Sequence, residues 1–359
     1  MSSRRGERGP SSAGAVTEAR AQLTYAIAPP NRTTPLGRRR EIAAAQSARI
    51  SSLPIDALLI YDVQDEAART DDARPFPFVP KVDPLAYAFD ELALGTLPRV
   101  VYRAVAAQSE ASLCRWLDEL RAREGRAVLV GAPSRRAEGS LTLSRALAVC
   151  RRRAPELSIG GVVIPERHAA SGDEEARVWT KMQAGCRFFV SQTVWSVRTT
   201  QRLLTALRVR ADVEGVEPPP LLLTLSPCGS AQTLEFLRWL GVDVPPQLRR
   251  ELLDASDMLE RSIELAAEGF AQLQRFAEQQ GLVVGCNVES LTARPADVDA
   301  SVELLERIHR SCGIGTARRV VAASDEAMAA AGGRELSLDA AASRGLTETK
   351  PRAAQPQMP

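Results

Sequence analysis

Short apolar runs recur along this chain, separated by segments with helical spacing. The runs lie at 23–28, 57–63, 99–105, 127–131, 159–164, 187–191, 221–225 and 282–288. They are continuous rather than alternating, the pattern of strands covered on both faces. Between them, stretches such as 109–123 place Leu113, Trp116, Leu117 and Leu120 on one helical face. Eight strand–helix units in succession predict an α/β fold, a (β/α)8 TIM barrel. No GxGxxG follows the first run, which weighs against a doubly wound dinucleotide-binding sheet.

Two connections are longer than simple links. Residues 65–84 follow the second run and hold Pro75, Pro77, Pro80 and Pro84 with Phe76 and Phe78. A proline-stiffened aromatic loop at the end of a barrel strand either packs over the barrel top or serves as a lid or binding loop. Residues 245–280 predict an extra helical segment between the seventh and eighth strands, extending the outer ring. Residues 1–20 and 329–359 are rich in Ser, Gly, Ala and Pro. They predict disordered tails around a barrel domain at 21–315.

Composition narrows the function classes. The chain of 359 residues is 45% hydrophobic and 25% charged, an ordinary globular balance. A net charge of +2, from 46 basic and 44 acidic residues, offers no basic stripe for nucleic acid. No apolar run reaches the roughly 18–20 residues that span a bilayer. No apolar stretch follows the basic N-terminus, so no secretory signal is expected. The six cysteines show no CxxC spacing and read as thiols of a reducing cytoplasm. A homo-oligomer stays open.

In a barrel, chemistry sits at the C-terminal strand ends. The polar residues there are Asp62, Gln64, Asp65 and Glu66 after the second strand. Pro165-Glu166-Arg167-His168 follow the fifth, Ser191-Gln192 end the sixth, and Glu289 ends the eighth. His168 is one of two histidines. A lone histidine is more often structural, and its place at a strand end brings a ligand-binding role level with that. The amide of Gln192 donates and accepts hydrogen bonds, as an amide-like heterocycle requires. No metal-ligand spacing and no nucleophile elbow occurs.

The order of these segments resembles the methylenetetrahydrofolate reductases over roughly residues 22–311. Pro165-Glu166-Arg167-His168 matches a PExH segment, followed by an acidic-start helix. Lys181-Met182-Gln183-Ala184-Gly185 and a strand ending in Gln192 come next. Beyond the seventh strand stand Gln232 and Phe236, then Val242-Asp243-Val244-Pro245. Pro29-Pro30 close the first strand. The resemblance implies a flavin-dependent or flavin-independent oxidoreductase of one-carbon metabolism, reducing methylenetetrahydrofolate with NAD(P)H and FAD. It allots His168, Lys181, Glu174 and Gly131 to the flavin, and Gln192, Gln232 and Phe236 to folate or nicotinamide.

The departures from that pattern bear on catalysis. The first-strand Glu of the resemblance is Ala26 here, and the fourth-strand Asp is Ala132. Tyr102 and Arg103 stand where a third-strand His is expected. A methyl group cannot protonate a folate nitrogen. The candidate replacement acids are Asp62, Asp65, Glu66, Glu166 and Glu289. The alternatives are a folate-binding or methyl-transfer accessory protein without reductase activity, and a scaffold protein.

Overall fold

The computed structural model describes residues 20–66, 70–132 and 141–316. Apart from Arg20, both predicted tails lie outside the described residues. Eight parallel strands close into a barrel in sequence order. They are β1 Leu23–Ile27, β2 Ala57–Ile60, β3 Arg99–Ala104, β4 Arg126–Val130, β5 Ile159–Val163, β6 Phe188–Thr193, β7 Leu221–Leu225 and β8 Val284–Glu289. Each predicted run contains its strand to within a residue or two at most ends. The second differs most, because Tyr61, Asp62 and Val63 leave the sheet after Ile60.

The helices are α1 Leu36–Ser51, α2 Pro84–Ala86 (running into a π turn at Tyr87–Glu91), α3 Glu110–Ala122 and α4 Leu143–Arg153. Then come α5 Pro165–Ser171, α6 Glu174–Gln183, α7 Val197–Glu214, α8 Ala231–Trp239, α9 Pro246–Asp254, α10 Met258–Gln279 and α11 Pro295–Cys312. Local chemistry sets their ends. The side chains of Ser109, Thr142, Ser196, Ser230 and Asp257 each accept a bond from a first-turn backbone N–H. Gly215 and Gly313 stop α7 and α11 in the left-handed conformation.

The strand runs are continuous because both faces are buried. Leu23, Tyr25, Val101, Leu129, Phe189, Leu223 and Val288 face the helices. Ala26, Leu59, Val100, Tyr102, Val128, Phe188, Val190 and Leu222 fill the barrel. The predicted face of α3, Leu113, Trp116, Leu117 and Leu120, is buried against the sheet. Where β8 closes on β1, a Cβ on Gly285 would lie 2.3 Å from the backbone oxygen of Gln22, so only glycine fits.

The predicted helical insertion is the pair α9 and α10. A separate apolar cluster of Trp195, Cys228, Leu234, Leu237, Val242 and Leu252 seats α8 and α9 beyond β7. No helix among the described residues is long and apolar enough to cross a membrane. All six cysteines are free.

Candidate functional site at the barrel mouth

The interior of the barrel changes character along its axis. At the N-terminal end Arg20, Gln22 and Arg126 line a cavity together with Val100, Phe188 and Leu222; towards the C-terminal end a hydrogen-bonded polar set takes over. On β1 and β8, Thr24 pairs in register with Asn287, and Ala26 with Glu289. Paired residues of a parallel sheet share a face. The Thr24 hydroxyl donates to Asn287 Oδ1 at 2.9 Å. Asn287 Nδ2 donates to the Tyr61 hydroxyl at 3.0 Å and to Thr224 Oγ1 at 3.2 Å. Thr224 in turn donates to the Ser191 backbone oxygen at 2.7 Å. Tyr61 packs edge-on against Tyr102, with ring centroids 4.8 Å apart.

At the top of this ladder stands Glu289, partly buried at the end of β8. Desolvation pushes its carboxyl up to about 7, against a hydrogen bond from Tyr61 that lowers it. Burial, and then the Glu289 charge, hold the Tyr61 and Tyr102 phenols well above their ordinary value. The mouth is therefore lined by neutral donors and acceptors, with one acid poised near neutrality.

The loop after β2 crosses this mouth. Its residues 70–82 reach α8, although β1 and β8 intervene between β2 and β7 in the barrel. Trp239 Nε1 donates to the Asp72 backbone oxygen at 3.0 Å, and Gln232 Nε2 to that of Pro75 at 3.0 Å. Phe76 meets Phe236 edge-on at 5.2 Å. On its other side the loop is tied to residues after β1, with Lys81 Nζ donating to Asn31 Oδ1 at 2.7 Å. The Arg74 guanidinium lies over the rings of Phe236 and Trp239, 5.5 and 5.2 Å from their centroids. Its Nε and Nη1 are buried without a hydrogen-bond partner among the described residues. Of the two sequence alternatives for this loop, a cover over the mouth is what its contacts describe.

The predicted site residues separate into two groups. Gln192, Gln232, Phe236 and Glu289 gather around the mouth and its cover. Gln192 Nε2 donates to the Leu240 backbone oxygen at 2.8 Å, fixing its amide at the end of β6. Phe236 is not an open stacking platform here: Trp239 stacks on it at 5.9 Å and Arg74 takes a share of its surface. The set allotted to a flavin is spent elsewhere. Lys181 Nζ donates to the Val162 backbone oxygen at 2.6 Å beneath α6, with its ammonium lowered by burial. Glu174 is fully buried and accepts from Ile164 N at 3.0 Å, its carboxyl raised by desolvation. His168 lies in α5, its Nδ1 3.0 Å from a Glu175 carboxylate oxygen. Gly131 accepts a bond from Gln64 at 3.4 Å, and Ala132 is exposed. His168, Glu174 and Lys181 are thus already engaged by the protein around β5, α5 and α6.

The candidate acids also separate. Asp62 Oδ2 accepts from Ala104 N at 2.8 Å, and burial raises its carboxyl. Glu166 Oε1 accepts from Asp243 N at 3.2 Å, joining the α5 start to the segment after α8. Asp65 and Glu66 lie further along the covering loop. Glu289 alone among the five is placed by strand register beside Ala26. Sequence reasoning missed Tyr61, Thr24, Thr224 and Asn287. Their signal was a polar residue inside an apolar strand run, at spacing two from the barrel-facing positions. Among the described residues no group of His, Cys, Asp and Glu could hold a metal ion.

The fold and site together define a TIM barrel with a covered, polar mouth. No protein-family model matches the sequence. No curated protein matches it either. A solved structure does: an uncharacterised protein from Clostridium thermocellum that binds two copies of 5-methyl-5,6,7,8-tetrahydrofolic acid. The two share 31% identity and a TM-score of 0.70, over 81% of this chain and 96% of that one. The chain belongs to the same family as that clostridial barrel. Membership of the methylenetetrahydrofolate reductases is a narrower statement that the match does not make. A dihydropteroate synthase from Thermus thermophilus is a much weaker likeness, at 17% identity and TM-score 0.40 over 81% of this chain and 94% of that one. A likeness at that level carries no functional argument.

Proposed function

We propose that this protein binds a reduced folate, 5-methyltetrahydrofolate, at the barrel mouth, and that it serves as a folate-binding or methyl-transfer accessory protein. The observation that carries this is the family shared with the clostridial methyltetrahydrofolate-binding barrel. The mouth's chemistry supports it. A reduced pterin is a flat heterocycle edged with donors and acceptors, and it suits neutral amides, hydroxyls and phenols. Gln192 and Glu289 supply them, with Tyr61 and Asn287 behind Glu289. The anionic glutamyl tail suits the rim, where Arg74 has unpaired N–H groups and Lys81 feels its positive charge.

Calorimetric titration of 5-methyltetrahydrofolate into the purified protein tests this, with saturable binding as the expected result. Arg74→Ala should weaken that binding while leaving affinity for a tail-less reduced pterin unchanged. Equal losses for both ligands would show that the tail does not meet Arg74.

A reductase is the second reading, favoured by one observation: Glu289 stands in register with Ala26, the position where the resemblance implies an acid. Oxidation of NADH or NADPH dependent on methylenetetrahydrofolate would support it. No flavin step belongs to it, because the residues allotted to a flavin already serve the barrel shell. An absorbance spectrum of fresh protein without flavin bands is expected.

A further inference from the structure

The hydrogen bonds of the mouth run in one direction, and that direction fixes where protons sit. Asn287 has its carbonyl engaged by Thr24, so its amide N–H groups face Tyr61 and Thr224. The Tyr61 oxygen accepts from Asn287, and its own proton is then free to point to the carboxyl of Glu289. One Glu289 oxygen is thus held by a donor. The titratable groups facing this carboxyl are Tyr61 after β2 and Tyr102 on β3, both neutral across the physiological range. Its register partner on β1 is Ala26, which has no titratable group. No described residue gives Glu289 a cationic partner, whereas many carboxylates among the described residues pair with arginine, Asp118 and Asp173 among them.

We propose that Glu289 is a specificity-determining residue of the ligand site, and that in its protonated form it donates a hydrogen bond to an acceptor on the reduced pterin, the ring carbonyl oxygen or a ring nitrogen. This rests on the folate-binding reading above. A buried carboxyl with one oxygen held by Tyr61 has one hydroxyl left to offer, and its register partner on β1, Ala26, brings no polar side chain to compete for it. Deprotonation turns that donor into an anion facing an acceptor. Ligand affinity therefore falls as pH rises past neutrality.

The test is calorimetric titration of 5-methyltetrahydrofolate between about pH 6 and 8.5, in buffers of different ionisation enthalpy, with the parent, Glu289→Gln and Glu289→Ala. The parent should weaken towards a limiting tenfold per pH unit above neutrality, and binding there should take up a proton. Glu289→Gln, which keeps a neutral donor, should bind with a flat pH profile and no proton uptake. Glu289→Ala should bind at least tenfold more weakly than the parent at pH 6. Circular dichroism melting confirms that each variant is folded. A flat profile for the parent, or a parent-like profile in Glu289→Gln, overturns this role and leaves folate binding standing. Absence of binding by the parent at every pH overturns both.

Discussion

Glu289 is placed where ionisation is expensive, and that has a consequence for stability without any ligand. In the unfolded chain its carboxyl ionises near its ordinary value of 4.5, whereas in the fold it holds its proton to about 7. Its contribution to stability is therefore complete below about pH 4.5 and is lost as pH rises through 7. At 1.36 kcal/mol per pK unit, the full loss reaches about 3 kcal/mol. Glu289→Gln should match the parent near pH 4 and exceed it by up to that amount near pH 8, as read by urea denaturation. An equal gap at both pH values would show that Glu289 does not ionise on unfolding. The neighbouring Ala26→Glu change sets two carboxyls side by side in register. One of them must then stay protonated, so little gain in any reductase activity is expected. Glu289 was visible in the sequence as one acid among five. Its distinction was not, because register with Ala26 comes from barrel closure, a contact between residues more than 260 positions apart.

The elements were more legible than the site. Eight apolar runs gave eight strands because burial on both faces is written directly into composition. The short strand β2 was overread, since Tyr61 continues an apolar run while its hydroxyl serves the polar mouth. The loop at 65–84 announced itself through its prolines and phenylalanines. Its partner α8 did not, because the resemblance allotted Phe236 to the ligand and nothing in the sequence ties Trp239 and Phe236 to a loop more than 150 positions away. The clamp should be separable from the fold. Phe76→Ala removes an edge-on aromatic pair worth about 0.5–1.5 kcal/mol, and it should speed ligand release with little change in melting temperature. Stopped-flow dissociation decides this, and an unchanged off-rate would mean that the loop does not cover the ligand. By contrast, Gly285→Ala drives a Cβ into the backbone of Gln22 at the β1–β8 closure. A loss of about 1–3 kcal/mol in denaturation is expected from such overpacking.

At the scale of the whole molecule, the barrel was evident from the sequence, and the family resemblance pointed to folate. The narrower reductase reading drew on motifs whose residues have other duties in this fold. His168, Glu174 and Lys181 are close together in sequence and look like a binding motif, yet they brace α5 and α6 against β5. Spacing along the chain cannot separate a ligand-facing lysine from one that donates to a strand carbonyl. The mouth itself is assembled from β1, β2, β6, β7, β8, α8 and the covering loop. The most direct measurement is calorimetry of 5-methyltetrahydrofolate with the parent and Gln192→Ala. Saturable binding is expected for the parent, weakened in the variant by about 1–3 kcal/mol, or about 5- to 150-fold. No binding by the folded parent at millimolar ligand, or equal affinity in the two proteins, would contradict a folate site at this mouth.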